Sequence, residues 1–148
     1  MSEHHATIAW RRHSEDFSYD TYDRTHQWAF PGGQSLNASA APDYLGDAAC
    51  VNPEEGLAAA IASCHMLTFL AIAAKKRYTV DSYEDAAVAI LDKNADGAMA
   101  VTRVELHPKI AFSGERQPAA EDIAGIHEKA HQHCFIANSV KCEIVVLD

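Results

Sequence analysis

The sequence predicts an α+β fold in a single domain spanning residues 1–148, and three observations carry that expectation. Residues 56–74 run for 19 positions without a formal charge and follow a strong helix-start signal. Strand-like alternation lies on both sides of that segment. A second stretch with helical spacing is then closed by a short alternating segment at the end of the chain. A chain of 148 residues has room for one core and no more.

In chain order, Ala6–Trp10 is apolar and β-prone, and Ser14-Glu15-Asp16 makes a polar turn. Phe17, Tyr19 and Thr21 follow at period two, then Trp28 and Phe30, so strands are expected there. Pro31-Gly32-Gly33 is a turn, and the small, polar stretch to Asp47 reads as loop or short edge strand. Asn52-Pro53-Glu54-Glu55 is a helix start. Asn52 suits the N-cap, Pro53 the first helical position, and Glu55 the third residue of a capping box. The helix should run to about Lys76, with Lys75, Lys76 and Arg77 against its negative end. Residues 78–113 read as one long hairpin turning at 93–97. Pro118 opens a second helix to about His133, its inner stripe formed by Ile123, Ile126, His127, Ala130 and Cys134. Val140–Leu147 is expected to be the closing strand.

The balance of 12 basic against 21 acidic residues gives a net charge of −9, which argues against nucleic acid as partner. Four widely spaced cysteines, 50, 64, 134 and 142, do not make a disulfide scaffold. Residues 56–74 are long enough to span a bilayer, but Gly56, Ser63, His65 and Thr68 interrupt them, and a mid-span histidine is costly in lipid. A buried core helix is the expectation, in a cytoplasmic chain with no membrane association and reduced cysteines.

The segment Asn52 to His65 (NPEEGLAAAIASCH) resembles the signature of the OsmC/Ohr family, the osmotically induced and organic hydroperoxide resistance proteins. Ala130 to Ser139 (AHQHCFIANS) is similar to the family's second, looser motif. The resemblance covers most of the chain. It implies an OsmC-like fold: an antiparallel sheet, a long buried central helix and a second helix, in an intertwined homodimer. It also implies thiol-based reduction of hydroperoxides without a bound cofactor or metal. An external dithiol, a lipoyl protein or a thioredoxin-type donor, would return the electrons. By motif position, Cys64 corresponds to the peroxidatic cysteine, Cys134 to the resolving one and Glu54 to the family's glutamate. Arg11, Arg12 and Arg24 compete for the family's arginine; Arg24 is preferred because it ends the expected second strand. Two departures stand out: Phe135 follows Cys134 where members often have proline, and His65 follows Cys64 where many carry an apolar residue.

The chemistry is coherent with that implication. The thiolate is the nucleophile toward an O–O bond, and burial in an apolar helix disfavours it. A guanidinium beside the sulfur stabilises the anion, and a carboxylate forking that guanidinium fixes its direction. A second thiol traps the sulfenic acid before further oxidation. Along one continuous helix, Glu54 and Cys64 are ten positions, about 15 Å, apart. The two therefore meet most simply between two copies of the helix, one chain's Glu54 approaching the other's Cys64. Two other functions fit the residues. One is a non-enzymatic redox sensor or small-ligand binder of the same fold. The other is a zinc hydrolase using His127-Glu128-Lys129-Ala130-His131, an HExxH match that His133, Cys134 or Glu143 would have to complete.

Overall fold

The computed structural model describes residues 1–147. The chain divides into two compact units, Met1–Gly56 and the remainder from Leu57.

In the first unit, β1 (Thr7–Ala9), β2 (His26–Ala29) and β3 (Ser35–Ala38) form an antiparallel sheet in that order. Trp28 pairs with Ile8 on one side and Leu36 on the other. The β2–β3 turn is the expected Pro31-Gly32-Gly33, with Gly33 at φ 83°, where a side chain is strained. No strand forms over Phe17–Thr21, contrary to the alternation. There Asp16 accepts hydrogen bonds from Ser18 and Thr21, and Thr21 and Tyr22 N–H both donate to the Ser18 carbonyl. These local bonds satisfy the backbone without a neighbouring strand. The stretch left as loop or edge strand supplies β3 and a 3-10 turn at Pro42–Tyr44. Asn52 and Glu55 cap each other's backbone N–H at 2.9 and 3.1 Å, as the capping box requires. Behind them the Trp28 indole lies so close to Gly56 that a Cβ there would sit 2.5 Å from a ring carbon.

Helix α1 runs Pro53–Lys75 and ends where Arg77 turns left-handed (φ 63°) and Tyr78 N–H reaches back to the Ala73 carbonyl. From Leu57 it belongs to the second unit, with β4 (Thr79–Asp85), β5 (Val88–Lys93), β6 (Met99–Leu106), β7 (Pro108–Ser113), α2 (Ala120–His133) and β8 (Glu143–Val146). The predicted hairpin is present but broken in two, β5 pairing with β6 near the turn and β4 with β7 farther out. The break has a chemical cause. Pro108 has no N–H to give the ladder, and the Asp85 carboxylate instead takes the His107 N–H at 2.7 Å. The sheets are antiparallel except at the end, where β8 lies parallel to β6, a pairing that the crossover through α2 makes possible.

Two dry clusters pack this unit. Phe69, Ala73, Tyr78, Ile126 and Ala130 form one, Ile61, Val104 and Leu106 the other. Helix α1 buries Ala58, Ile61, His65, Phe69 and Ala73, spaced three or four apart as one helical face. Its opposite face, including Ser63, Leu67 and Ala71, is exposed, so the single chain covers this apolar helix on one side only.

Candidate active site

Two of the four free cysteines face each other. Cys64 is mid-way along α1 and half-buried; Cys134 is the C-cap of α2 and has no accessible surface. Cys134 reaches that position because it continues the α2 stripe that buries Ile126 and Ala130. Burial pushes the Cys134 thiol up, and the neighbouring Cys64 thiol adds to the shift. The Ala137 N–H works against both by donating to Cys134 Sγ at 3.4 Å. The pair is thus unsymmetrical: Cys64 is half-buried, whereas Cys134 is fully buried and its thiol form favoured. Cys50 lies in the loop before α1, and Cys142 packs against the Ile61 cluster, its thiol also pushed up by burial.

Beside the thiols is an imidazole pair, one ring buried and the other partly so. His65, 1% exposed, places Nε2 2.9 Å from Nδ1 of His127 on α2, and the rings are stacked at 8°. The His127 ring also packs on Phe69, centroids 4.5 Å apart. Burial lowers the His65 pKa to about 4, with His127 and then His131 contributing. In the sequence His65 stands as a departure from the family motif and His127 as half of the HExxH match. The sequence pattern puts His127 on the inner stripe of α2 but gives no signal that pairs it with His65.

That contact redefines the HExxH match. His127 Nδ1 is engaged by His65, and Glu143, a candidate to complete a metal site, is held by Arg103 at 2.8 Å. Among the described residues no three His, Cys, Asp or Glu side chains converge as a metal site.

Arg24 and Glu54 lie in the first unit. With no strand at 17–21, Arg24 does not end one; it stands two residues before β2. Its guanidinium lies over the Tyr22 ring at 3.9 Å and the Tyr19 ring at 5.2 Å, and donates to the carbonyls of both residues. Arg12, by comparison, is exposed and bonded to the carbonyls of Ser14 and Glu15. Arg24 makes no ion pair with Glu54. One carboxylate oxygen of Glu54, Oε2, is buried and accepts no hydrogen bond, which for a carboxylate is a costly state. Arg24 also borders an apolar cleft of about 420 Å³ with Ile8, Trp10, Phe17 and Tyr22.

Two helices bring a half-buried and a fully buried thiol together inside an α+β framework. Residues 46–147 match the OsmC-like protein family, and the chain belongs to that family. An OsmC-like protein of unknown function from Vibrio cholerae is 49% identical, with 99% of each chain covered and a TM-score of 0.95. An organic hydroperoxide resistance protein from Elizabethkingia anophelis has the same fold at 19% identity, TM-score 0.72, covering 99% of this chain and 93% of that one. The organic hydroperoxide resistance protein OhrB of Bacillus subtilis has it at 17% identity, TM-score 0.66, covering 99% and 98%. No curated protein matches the chain.

Proposed function

We propose that this protein is a cytoplasmic thiol peroxidase that reduces organic hydroperoxides as a homodimer. The observation that carries the reading is the unsymmetrical thiol pair: Cys64 is accessible and Cys134, beside it, is not. A hydroperoxide arriving from solvent meets Cys64 alone. The Cys64 thiolate attacks the outer peroxide oxygen, the O–O bond breaks, the hydroxyl stays on sulfur as sulfenic acid, and the alkoxide takes a proton and leaves as alcohol. Cys134, held as a thiol, then attacks the sulfenate sulfur, expelling water and closing a disulfide. An external dithiol, a lipoyl protein or a thioredoxin-type donor, reduces that disulfide and leaves oxidised.

Arg24 and Glu54 are proposed as the activating pair, the guanidinium stabilising the Cys64 thiolate and the carboxylate orienting it. Glu54 precedes Cys64 by ten residues of one unbroken helix, so a partner subunit is the natural source of the carboxylate. The exposed apolar face of α1 supports the same dimer. The names of the hydroperoxide resistance proteins that share the fold agree with the reaction.

The test is steady-state consumption of cumene hydroperoxide with dithiothreitol or a lipoylated protein as reductant. Wild type should turn over, and Cys64→Ser should fall to the uncatalysed background. Peptide mapping after one equivalent of peroxide should find a Cys64–Cys134 disulfide with Cys50 and Cys142 still reduced. A disulfide without turnover on any dithiol would favour a redox sensor; unchanged activity in Cys64→Ser would end the proposal.

A further inference from the structure

The contacts between α1 and α2 include one of thiols and one of imidazoles. Cys64 and His65 are neighbours on α1; His127 and Cys134 are seven residues apart on α2, with His131 between them on the same stripe. The imidazole contact is the more directional of the two. A hydrogen bond of 2.9 Å between Nε2 and Nδ1 fixes both rings, their planes are parallel within 8°, and Phe69 backs the His127 ring. A thiol pair has no comparable grip, because S–H is a weak donor and sulfur a weak acceptor. Elsewhere the α1–α2 contact is made by apolar side chains such as Phe69, Ile126 and Ala130, which are non-directional. The register of Cys134 against Cys64 therefore has a polar, geometry-specific anchor in its vicinity.

We infer that His65 and His127 are positioning residues whose mutual hydrogen bond sets the approach of the Cys134 thiol to Cys64, and so governs disulfide closure rather than the first attack on an oxidant. The inference rests on the assignment of Cys64 and Cys134 as a working pair, but closure can be driven without any peroxide. Neither imidazole is asked to exchange a proton with substrate. One ring donates its N–H, the other accepts, and the bond holds the helices while sulfur chemistry proceeds one residue away. The sequence match to HExxH is accounted for by the same contact, since its first histidine is the partner of His65.

The inference predicts which replacements succeed. His65 uses Nε2, the atom whose place a glutamine side-chain amide can take, and His127 uses Nδ1, which asparagine mimics. His65→Gln and His127→Asn keep a donor and an acceptor, whereas His65→Leu fills the space and removes the bond. The experiment follows closure of the Cys64–Cys134 disulfide in the full-length reduced protein after addition of diamide, which oxidises thiol pairs to disulfides while being reduced to its hydrazine. Peptide mapping reads the bond, and circular dichroism checks that each variant is folded. His65→Leu should close about tenfold more slowly, the size of one buried hydrogen bond, with His65→Gln and His127→Asn within about threefold of wild type. In a parallel reaction with excess cumene hydroperoxide, dimedone quenching of early aliquots should show His65→Leu forming the Cys64 sulfenate at the wild-type rate. In unquenched samples that sulfenate, left waiting by slow closure, should be oxidised by a second hydroperoxide to sulfinic acid. Equal closure by the leucine and glutamine variants, fast or slow, would overturn the inference, since then the bond contributes nothing beyond packing. The peroxidase reading fails separately, if wild type closes its disulfide with diamide yet forms no sulfenate with the peroxide.

Discussion

The two units of the chain are held together by different physics. From Leu57 onward, Ile61, Phe69, Val104, Leu106 and Ile126 have no accessible surface, and the thiol and imidazole pairs sit among elements fixed by that packing. In Met1–Gly56 only Ala38 and Ser39 are fully buried. There Trp10, Phe17 and Tyr19 are exposed, and the shape rests on ring contacts, the Arg24 cation–π stack and side-chain bonds to carbonyls such as Trp10 Nε1 to Asp23. In the proposed reaction the two sulfur atoms must meet to within a bond length, and they lie in the well-packed unit. The proposed charged pair, Arg24 and Glu54, would act over several ångströms and lies in the unit with the thinner core. That reading puts precision where packing can enforce it.

The contrast can be broken most directly by deleting one ring from each unit. Phe69→Ala should lose about 3–5 kcal/mol of stability by urea unfolding, as large-to-small core changes do. Phe17→Ala, at 63% exposure, should lose less than about 1 kcal/mol. Similar losses at the two positions would mean that the first unit is as tightly packed as the second.

A smaller effect sharpens the contrast by separating activity from stability. Arg24→Met should cut peroxide turnover about ten- to hundredfold, the range of one charged hydrogen bond in a transition state, while shifting the unfolding midpoint little. If Glu54 acts across a dimer, mixing inactive Cys64→Ser with inactive Glu54→Ala and allowing subunit exchange should restore turnover through one intact site. Exchange without recovery would place the whole site within one chain.

The smallest expected effect is on pH. The folded-state pKa of His65 is about 4, below its ordinary 6.5, because burial disfavours the cation. Between those values the unfolded chain binds the proton and the folded one does not, so stability is complete above pH 6.5 and falls as pH drops toward 4. Urea titrations at several pH values should show that slope in wild type and a shallower one in His65→Gln. An unchanged slope would assign the acid sensitivity to other groups.

Much of the fold was legible because it rests on local chemistry. The Asn52–Glu55 capping box, the glycine turn at 33 and the inner stripe of α2 each follow from a few neighbouring residues, and each formed as expected. Alternation at Phe17, Tyr19 and Thr21 misled because Asp16 and Ser18 offered the backbone a nearer partner than any strand. The hairpin was seen, but its break at Pro108 depends on a bond from His107 to Asp85, 22 residues away. For the site, the family resemblance pointed to Cys64 and Cys134, which the fold brings together. The His65–His127 contact joins residues 62 positions apart, and no local pattern records it.

The burial of Cys134 has a further consequence, for the direction in which its bond to Cys64 would be undone. An incoming thiolate must approach a disulfide sulfur along the S–S axis, and Cys134 offers no surface to approach. In the proposed cycle, attack would therefore fall on Cys64, the mixed disulfide would form there, and Cys134 would be the leaving group. Its raised pKa makes it a reluctant one, since thiols of lower pKa depart faster. The Ala137 N–H, which donates to Cys134 Sγ, and the Ile136 backbone would stabilise the charge on the departing sulfur. Packing would thus set the regiochemistry of the proposed reduction, and the backbone groups of Ala137 and Ile136 would ease the departure that packing makes slow.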